Sequence, residues 1–315
     1  MKTYILFAAA ALTLAACTNE NDPVAPADGK VAARIVADID HVATRASDAG
    51  FVAEDRIGIS CTSTDGMTIY SNIPYSYDDQ DKIFSPDGDV IYFQSGDKVS
   101  FNAYYPFAGT NGMLEPIAVT TDAEAQKNLP RIDFLFAMGA TADKNKPTVL
   151  FTGEAAFRHS MSRITIEFKE GSDVVFEDCL TAYTLKGLDL RGTFNPENGV
   201  AVAQNNTTPE EGLKMELTGA KAGNDGKYTA PSVIVFPQDV NGTIALEVTV
   251  EGETYRATLT LPSAIEGLSG DELKLLNPGY NYKFPVTVKK AGLSVGTCEI
   301  AEWKEAPGDP TDATM

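Results

Sequence analysis

VAARIVADIDHVATRA, residues 31–46, carries the clearest β-strand signature in the sequence. Small and apolar residues occupy most odd-numbered positions up to residue 43, whereas Arg34, Asp38 and Asp40 lie at even-numbered ones. A period of two is typical of a strand with one buried face. We therefore predict a first β-strand over residues 31–43, with an inward face made of Val31, Ala33, Ile35, Ala37, Ile39, His41 and Ala43.

The predicted strand ends at an arginine in a polar, small-residue run. Thr44, Arg45 and Ala46 are followed by SDAG at 47–50, a composition typical of protease-accessible loops. Arg45 is therefore a good substrate for a trypsin-like or Arg-specific protease, and a cut there would detach one whole strand. Taken alone, the pattern is more typical of an ordinary first strand followed by a loop arginine.

The period-two pattern returns along the rest of the chain, and turn-forming residues separate its occurrences. Such turns lie at 85–89, 195–199 and 277–279. Many short strands separated by such turns predict an all-β protein built from β-sandwiches. The predicted strands cover residues 57–60, 68–70, 90–93, 98–105, 163–168, 233–236, 243–250, 254–261 and 282–288.

The chain of 315 residues is long enough for two domains, each with its own core. The most polar connector near the middle is TADKNKP at 141–147, and new strands are predicted to begin at Thr148 and Ser162. We therefore predict a first domain over residues 30–147 and a second over 148–303, followed by a polar tail over 304–315.

The N-terminus has the features of an export signal. A short cationic lead precedes an apolar stretch at 4–14, which is too short for a spanning helix. The motif Leu14-Ala15-Ala16-Cys17 resembles the lipobox of bacterial lipoproteins. That resemblance implies a signal peptide at 1–16, acylation of Cys17, and attachment to the outer membrane through a flexible tether at 17–29.

Composition excludes several functions. The net charge of −19 argues against nucleic acid as a partner. We find no phosphate-binding loop, nucleophile elbow or zinc-protease motif, and the two histidines have no visible catalytic partner. Cys61, Cys179 and Cys298 have the spacing of isolated core residues rather than of a disulfide or zinc framework. We therefore expect no enzymatic activity, cofactor or metal.

Several motifs together resemble the fimbrillin family, the FimA/Mfa-like pilins of type V pili. They occur in the family's order along nearly the whole chain: the lipobox at Cys17, the strand ending at 44–46, GDKVSFNAYYP at 96–106, DFLFA at 133–137, FRHSMSRI at 157–164, VFPQ at 235–238, PGYNYKF at 278–284 and IAEW at 300–303.

The resemblance implies a structure and a way of assembling. It implies two tandem transthyretin-like β-sandwich domains, lipoprotein export, and loss of the first strand at the cell surface by cleavage between Arg45 and Ala46. The vacated groove would take a strand from another pilin subunit, so that strand complementation builds an extracellular adhesive pilus.

The C-terminal segment has two possible roles. Leu293 and Val295 alternate with Ser294 and Gly296, and Ile300 and Trp303 follow within residues 297–303. Residues 293–303 could be the donor strand or the last strand of their own domain, with Trp303 plugging the core. Stalk, tip and anchor subunits share these motifs, so the sequence leaves all three positions in the fibre as alternatives. Arg45 favours stalk or tip, since an anchor would keep its lipid and first strand.

A different class of function is a monomeric surface lipoprotein that binds a glycan or host ligand through loops. The aromatic stretch at 69–77 could stack on sugars or could serve as strand and loop packing.

Overall fold

The computed structural model describes residues 30–40, 50–176, 179–205, 210–290, 292–301 and 303. Across them the protein is almost entirely β, which confirms the predicted fold class. The helices in these residues are short 3-10 segments at Ala125–Arg131, Gly153–Ala155 and Gly270–Lys274. None of the described helices is long and apolar enough to cross a membrane.

The strands are numbered in chain order. They are β1 (Val31–Ala32), β2 (Arg34–Ala37), β3 (Arg56–Ser63), β4 (Ile69–Asp78), β5 (Ile83–Pro86), β6 (Tyr92–Phe93), β7 (Val99–Tyr105), β8 (Ile117–Thr120), β9 (Leu135–Ala142), β10 (Thr148–Phe151), β11 (Arg158–His159), β12 (Ser162–Glu170), β13 (Leu180–Lys186), β14 (Arg191–Asn195), β15 (Val200–Ala203), β16 (Leu213–Glu216), β17 (Lys227–Thr229), β18 (Val233–Val235), β19 (Gln238–Asp239), β20 (Thr243–Val250), β21 (Glu253–Thr260), β22 (Leu275–Leu276), β23 (Asn281–Lys289), β24 (Gly292–Val295) and β25 (Glu299–Ala301).

The first domain is built on an eight-stranded sheet. Its strand order is β10-β2-β5-β4-β3-β7-β9-β11, so the first long strand of the chain lies between two others and not at an edge. The inward side chains of this sheet form one apolar cluster in which Ile35, Phe101, Phe151 and Phe157 are at most 1% exposed. Alternating burial along β10 and the first four residues of β7 reflects the period-two pattern of their sequences.

The second domain consists of two main sheets around a second core. One sheet has the order β17-β12-β23-β24, with β18 pairing with β12 and β25 with β23; the other has the order β16-β13-β20-β21. Phe168 on the first sheet and Leu246 on the second are both fully buried in the same cluster. Two sheets that share one core make this domain sandwich-like. The transthyretin-like topology stays a prediction.

The change from the first to the second sheet system falls between β11 and β12, later than the boundary predicted at residue 148. β10 pairs in parallel with β2, and β11 pairs with β9, so both belong to the first domain. The polar connector at 141–147 is a tight turn closed by the bridge between Asp143 and Lys146. The correction has a physical cause: polarity marks a solvated turn, and such turns also occur within domains.

A third apolar cluster joins the two domains. β8 pairs with β14, and Tyr104 and Phe134 of the first domain contact Phe194, whose ring centroid lies 4.5 Å from that of Phe134. Gln126 adds polar contacts across the junction: its side chain accepts a hydrogen bond from the Ile234 amide at 2.9 Å and donates one to the Ile234 carbonyl at 2.7 Å. The junction therefore has the buried character of a domain core.

Truncating Phe194 should destabilise the whole protein. We expect Phe194→Ala to lower the free energy of unfolding by about 3–5 kcal/mol, because it leaves a cavity in the junction. Val202→Ala, on the neighbouring strand with Val202 54% exposed, is the matched control and should change stability by less than about 0.5 kcal/mol. Equal denaturant midpoints for the two variants would contradict a buried junction.

Candidate functional site

The slot that holds the first strand is the candidate functional site. Arg34–Ala37 pairs residue by residue with Thr148–Phe151 in parallel, and Ile35 on its other side pairs with Phe84 of β5. The Asp38 amide donates to the Phe151 carbonyl at 2.9 Å, which extends the pairing beyond β2. The strand therefore completes the sheet between β10 and β5.

The inward side chains of this strand are part of the first core. Ala33, Ile35 and Ala37 are 7%, 0% and 8% exposed, and the half-buried Val31 and Ile39 pack against the same cluster. Without the strand, β5 and β10 would each expose an unpaired edge beside an apolar trough.

The end of the strand is tied to the segment before β11. Ile39 forms a parallel bridge with Phe157, and the Asp40 amide donates to the Phe157 carbonyl at 2.7 Å. Arg158 Nε donates to Asp40 Oδ2 at 2.9 Å in a partly exposed ion pair. The chain is thus held in the sheet up to five residues before Arg45.

Several residues singled out in the sequence lie outside the described residues. They are the acylation candidate Cys17, the strand residues His41 and Ala43, and the candidate cleavage pair Arg45 and Ala46. Their roles therefore stay predictions.

The C-terminal segment pairs with its own domain in this structure. β24 and β25 both pair with β23, and Leu293 and Val295 are half-buried against the second core. Ile300 is 40% exposed. This arrangement corresponds to the last-strand alternative, and a donor role requires these short pairings to open.

Trp303 binds a buried acid–histidine pair of the first domain. Its ring stacks on His159 with 4.0 Å between centroids and 23° between planes, and its Nε1 donates to Asp133 Oδ2 at 3.1 Å. Asp133 Oδ1 contacts His159 Nδ1 at 2.9 Å. The sequence left His159 without a partner, because Asp133 is distant along the chain. The motifs at 133–137, 157–164 and 300–303 converge here.

A cavity of about 790 Å³ lies beside this contact. Its walls include Asp40 and Arg158 from the first domain and Ile265, Tyr280 and Trp303 from the second. The cavity therefore separates the end of the first strand from the C-terminal segment.

The aromatic stretch at 69–77 lies on β4 and serves mainly as packing. Tyr75 is fully buried, and Tyr77 packs against Phe51 and Phe84 with centroids 5.9 and 5.0 Å away. Tyr70 accepts a hydrogen bond from the Tyr92 amide. These rings do not form an open platform for a sugar.

Nucleophilic and metal-binding chemistry finds little support in the described part of the chain. Cys61, Cys179 and Cys298 are buried and unbridged. Burial raises the pKa of the Cys61 and Cys298 thiols to about 12. No group of three or more His, Cys, Asp or Glu side chains among the described residues could hold a metal ion.

Solved structures with a similar fold include two from Bacteroides species. A proposed cell adhesion protein from Bacteroides ovatus ATCC 8483 has 27% identity and a TM-score of 0.67, over 88% of this chain and 99% of its own. A proposed cell adhesion protein from Bacteroides uniformis ATCC 8492 has 24% identity and a TM-score of 0.65, over 89% of this chain and 100% of its own. Among curated proteins, none matches the chain.

An all-β fold in which two domains share a buried junction and the first strand completes a sheet defines a β-sandwich-like class of protein. Residues 44–303 match the Fimbrillin-like family. The chain belongs to the fimbrillin family, and it is a pilus-related surface protein with a structural rather than an enzymatic role.

The buried thiols give a direct test of the fold. In a chain that begins at residue 18, we expect Cys61, Cys179 and Cys298 not to react with Ellman's reagent at pH 8, because burial makes all three thiols inaccessible and raises the pKa of Cys61 and Cys298. All three should react in guanidinium, where an ordinary thiol pKa of about 8.5 applies. Rapid reaction of the folded chain would contradict the buried placement.

Proposed function

We propose that this protein is a structural subunit of an adhesive pilus that assembles by strand exchange after a protease removes its first strand. A strand from another pilin subunit then fills the slot between β5 and β10. The subunit is exported as a lipoprotein precursor and ends in an extracellular fibre.

The observation that supports this proposal most strongly is the burial of the first strand's inward side chains in the core. Ile35 is fully buried, and full burial of such a side chain stabilises a fold by about 1.5–3 kcal/mol. An empty slot would also leave backbone amides and carbonyls of two neighbouring strands unpaired, which is costly. A donor that restores both kinds of contact forms a long-lived joint without a covalent bond.

The positions of Cys17 and Arg45 fit a membrane-attached precursor. Acyl chains on Cys17 would hold it at the outer membrane, with each buried methylene contributing about 0.8 kcal/mol. A cut after Arg45 by a trypsin-like or Arg-specific surface protease removes the lipid together with the first strand. One cleavage therefore frees the subunit and opens its slot, as a stalk or tip subunit requires.

The C-terminal segment is the proposed donor. Its alternating residues Leu293 and Val295 resemble the small and branched residues that β2 buries, and β25 contributes three residues to its pairing with β23. To act as the donor, the segment must give up the pairings of both β24 and β25 with β23. If the segment stays on its own domain instead, the donor comes from elsewhere and the slot remains the acceptor.

Cleavage at Arg45 provides the test. We expect low-dose trypsin to convert the lipid-free precursor to a product beginning at Ala46, and ladders resistant to mild heating to follow as slots fill. Arg45→Ala should fold normally and form no ladders. Arg45→Lys is the matched control, since it keeps a trypsin site but loses an Arg-specific one. Formation of ladders by uncut Arg45→Ala would contradict assembly triggered by cleavage at Arg45.

A further inference from the structure

Asp133, His159 and Trp303 form a contact that we name the C-terminal latch. The Asp133 carboxylate binds both partners, with Oδ1 at 2.9 Å from His159 Nδ1 and Oδ2 accepting from Trp303 Nε1 at 3.1 Å. Asp133 is 5% exposed, and the imidazole stacks on the indole. The latch therefore fastens the end of the second domain to a polar pair buried in the first.

The latch adds to the hold on the C-terminal end. β25 contributes only Glu299–Ala301 to its sheet, and its central residue Ile300 is 40% exposed. Three residues of pairing on one side give little resistance to fraying. A stacked, hydrogen-bonded Trp303 two residues further on adds a specific anchor.

The same short segment that supports His159 also holds the first strand. Phe157 donates its amide to the Asp38 carbonyl at 2.9 Å and accepts from the Asp40 amide. Arg158 forms the ion pair with Asp40, and His159 follows directly. The first strand and Trp303 thus contact residues 157–159 from different sides.

We infer that the first strand keeps the C-terminal latch closed, so that an uncut subunit withholds its own C-terminal segment. When the strand leaves, residues 157–159 lose their backbone partners on one side and His159 loses its fixed position. Trp303 is released, and β25 frays from β23. This inference rests on the proposed function, because it assigns the release of the donor to the same cleavage.

Fluorescence provides a direct readout, because Trp303 is the single tryptophan of the chain. In the uncut chain we expect a blue-shifted emission with weak acrylamide quenching. After cleavage and separation of the released strand, emission should shift to the red and the quenching constant should rise severalfold. Cys61 should stay unreactive with Ellman's reagent, which shows that the first core has not simply unfolded.

Uncut variants test the coupling without loss of the strand. Asp40→Ala removes the ion pair with Arg158, and Asp38→Ala, with an exposed side chain on the same segment, is the matched charge control. We expect faster hydrogen exchange at residues 299–301 in Asp40→Ala and an unchanged rate in Asp38→Ala. Exchange in β25 is the chosen readout, because it reports directly on the pairing of these residues with β23. Equal exchange in the two variants would overturn the coupling.

His159→Ala tests the latch itself. In the uncut chain it should raise Trp303 quenching severalfold, and when mixed with cut wild-type subunits it should form capped dimers that uncut wild type does not form. An unchanged quenching constant would overturn the latch. Ladders from cut wild type with a shielded Trp303 would overturn the inference and leave the proposed function intact. Exposure of Trp303 on cutting, without the formation of ladders, would overturn the proposed function and leave the release of Trp303 intact.

Discussion

The parallel pairing of β2 with β10 is the interaction on which the first domain depends. It joins residues 34–37 to residues 148–151, at opposite ends of the domain's sequence, and places Ile35 at the centre of the apolar cluster. In the eight-stranded sheet, β2 lies between the edge strand β10 and the other six strands. The domain is therefore complete only while a strand occupies that place.

The junction between the domains gives this dependence a wider reach. Phe194 and Phe236 of the second domain pack with Phe134 of the first, and β8 contributes a strand to a sheet with β14 and β15. A structural change in the first domain therefore alters contacts that its residues make with the second domain. The contact of Trp303 with Asp133 and His159 is one such contact. It joins the last described residue of the chain to a segment that also binds the first strand.

Period-two patterning was sufficient to predict the fold class and the inward placement of Ala33, Ile35 and Ala37, because side chains of a half-buried strand must alternate. It did not predict that residues 31–37 divide into β1, which pairs with β6, and β2, which pairs with β10 and β5. It could not identify β10 as the partner of β2, since parallel pairing between distant segments leaves no local signal, and this placed the domain boundary too early. Asp133, His159 and Trp303 each lie in a motif shared with the family, but their meeting depends on how two domains dock. Burial of Tyr75 likewise depended on which face of β4 turned inward.

The direction of β2 gives an assembly of these subunits a polarity. β2 runs parallel to β10 and antiparallel to β5, so an incoming strand that reproduces these contacts must lie in the slot in one direction only. In the proposed strand-exchange assembly, each joint would be heterologous, with a donor face and an acceptor face that differ chemically, and repetition would generate an open filament rather than a closed ring. Its two tips are unlike: one presents a vacant slot and the other an unused tail.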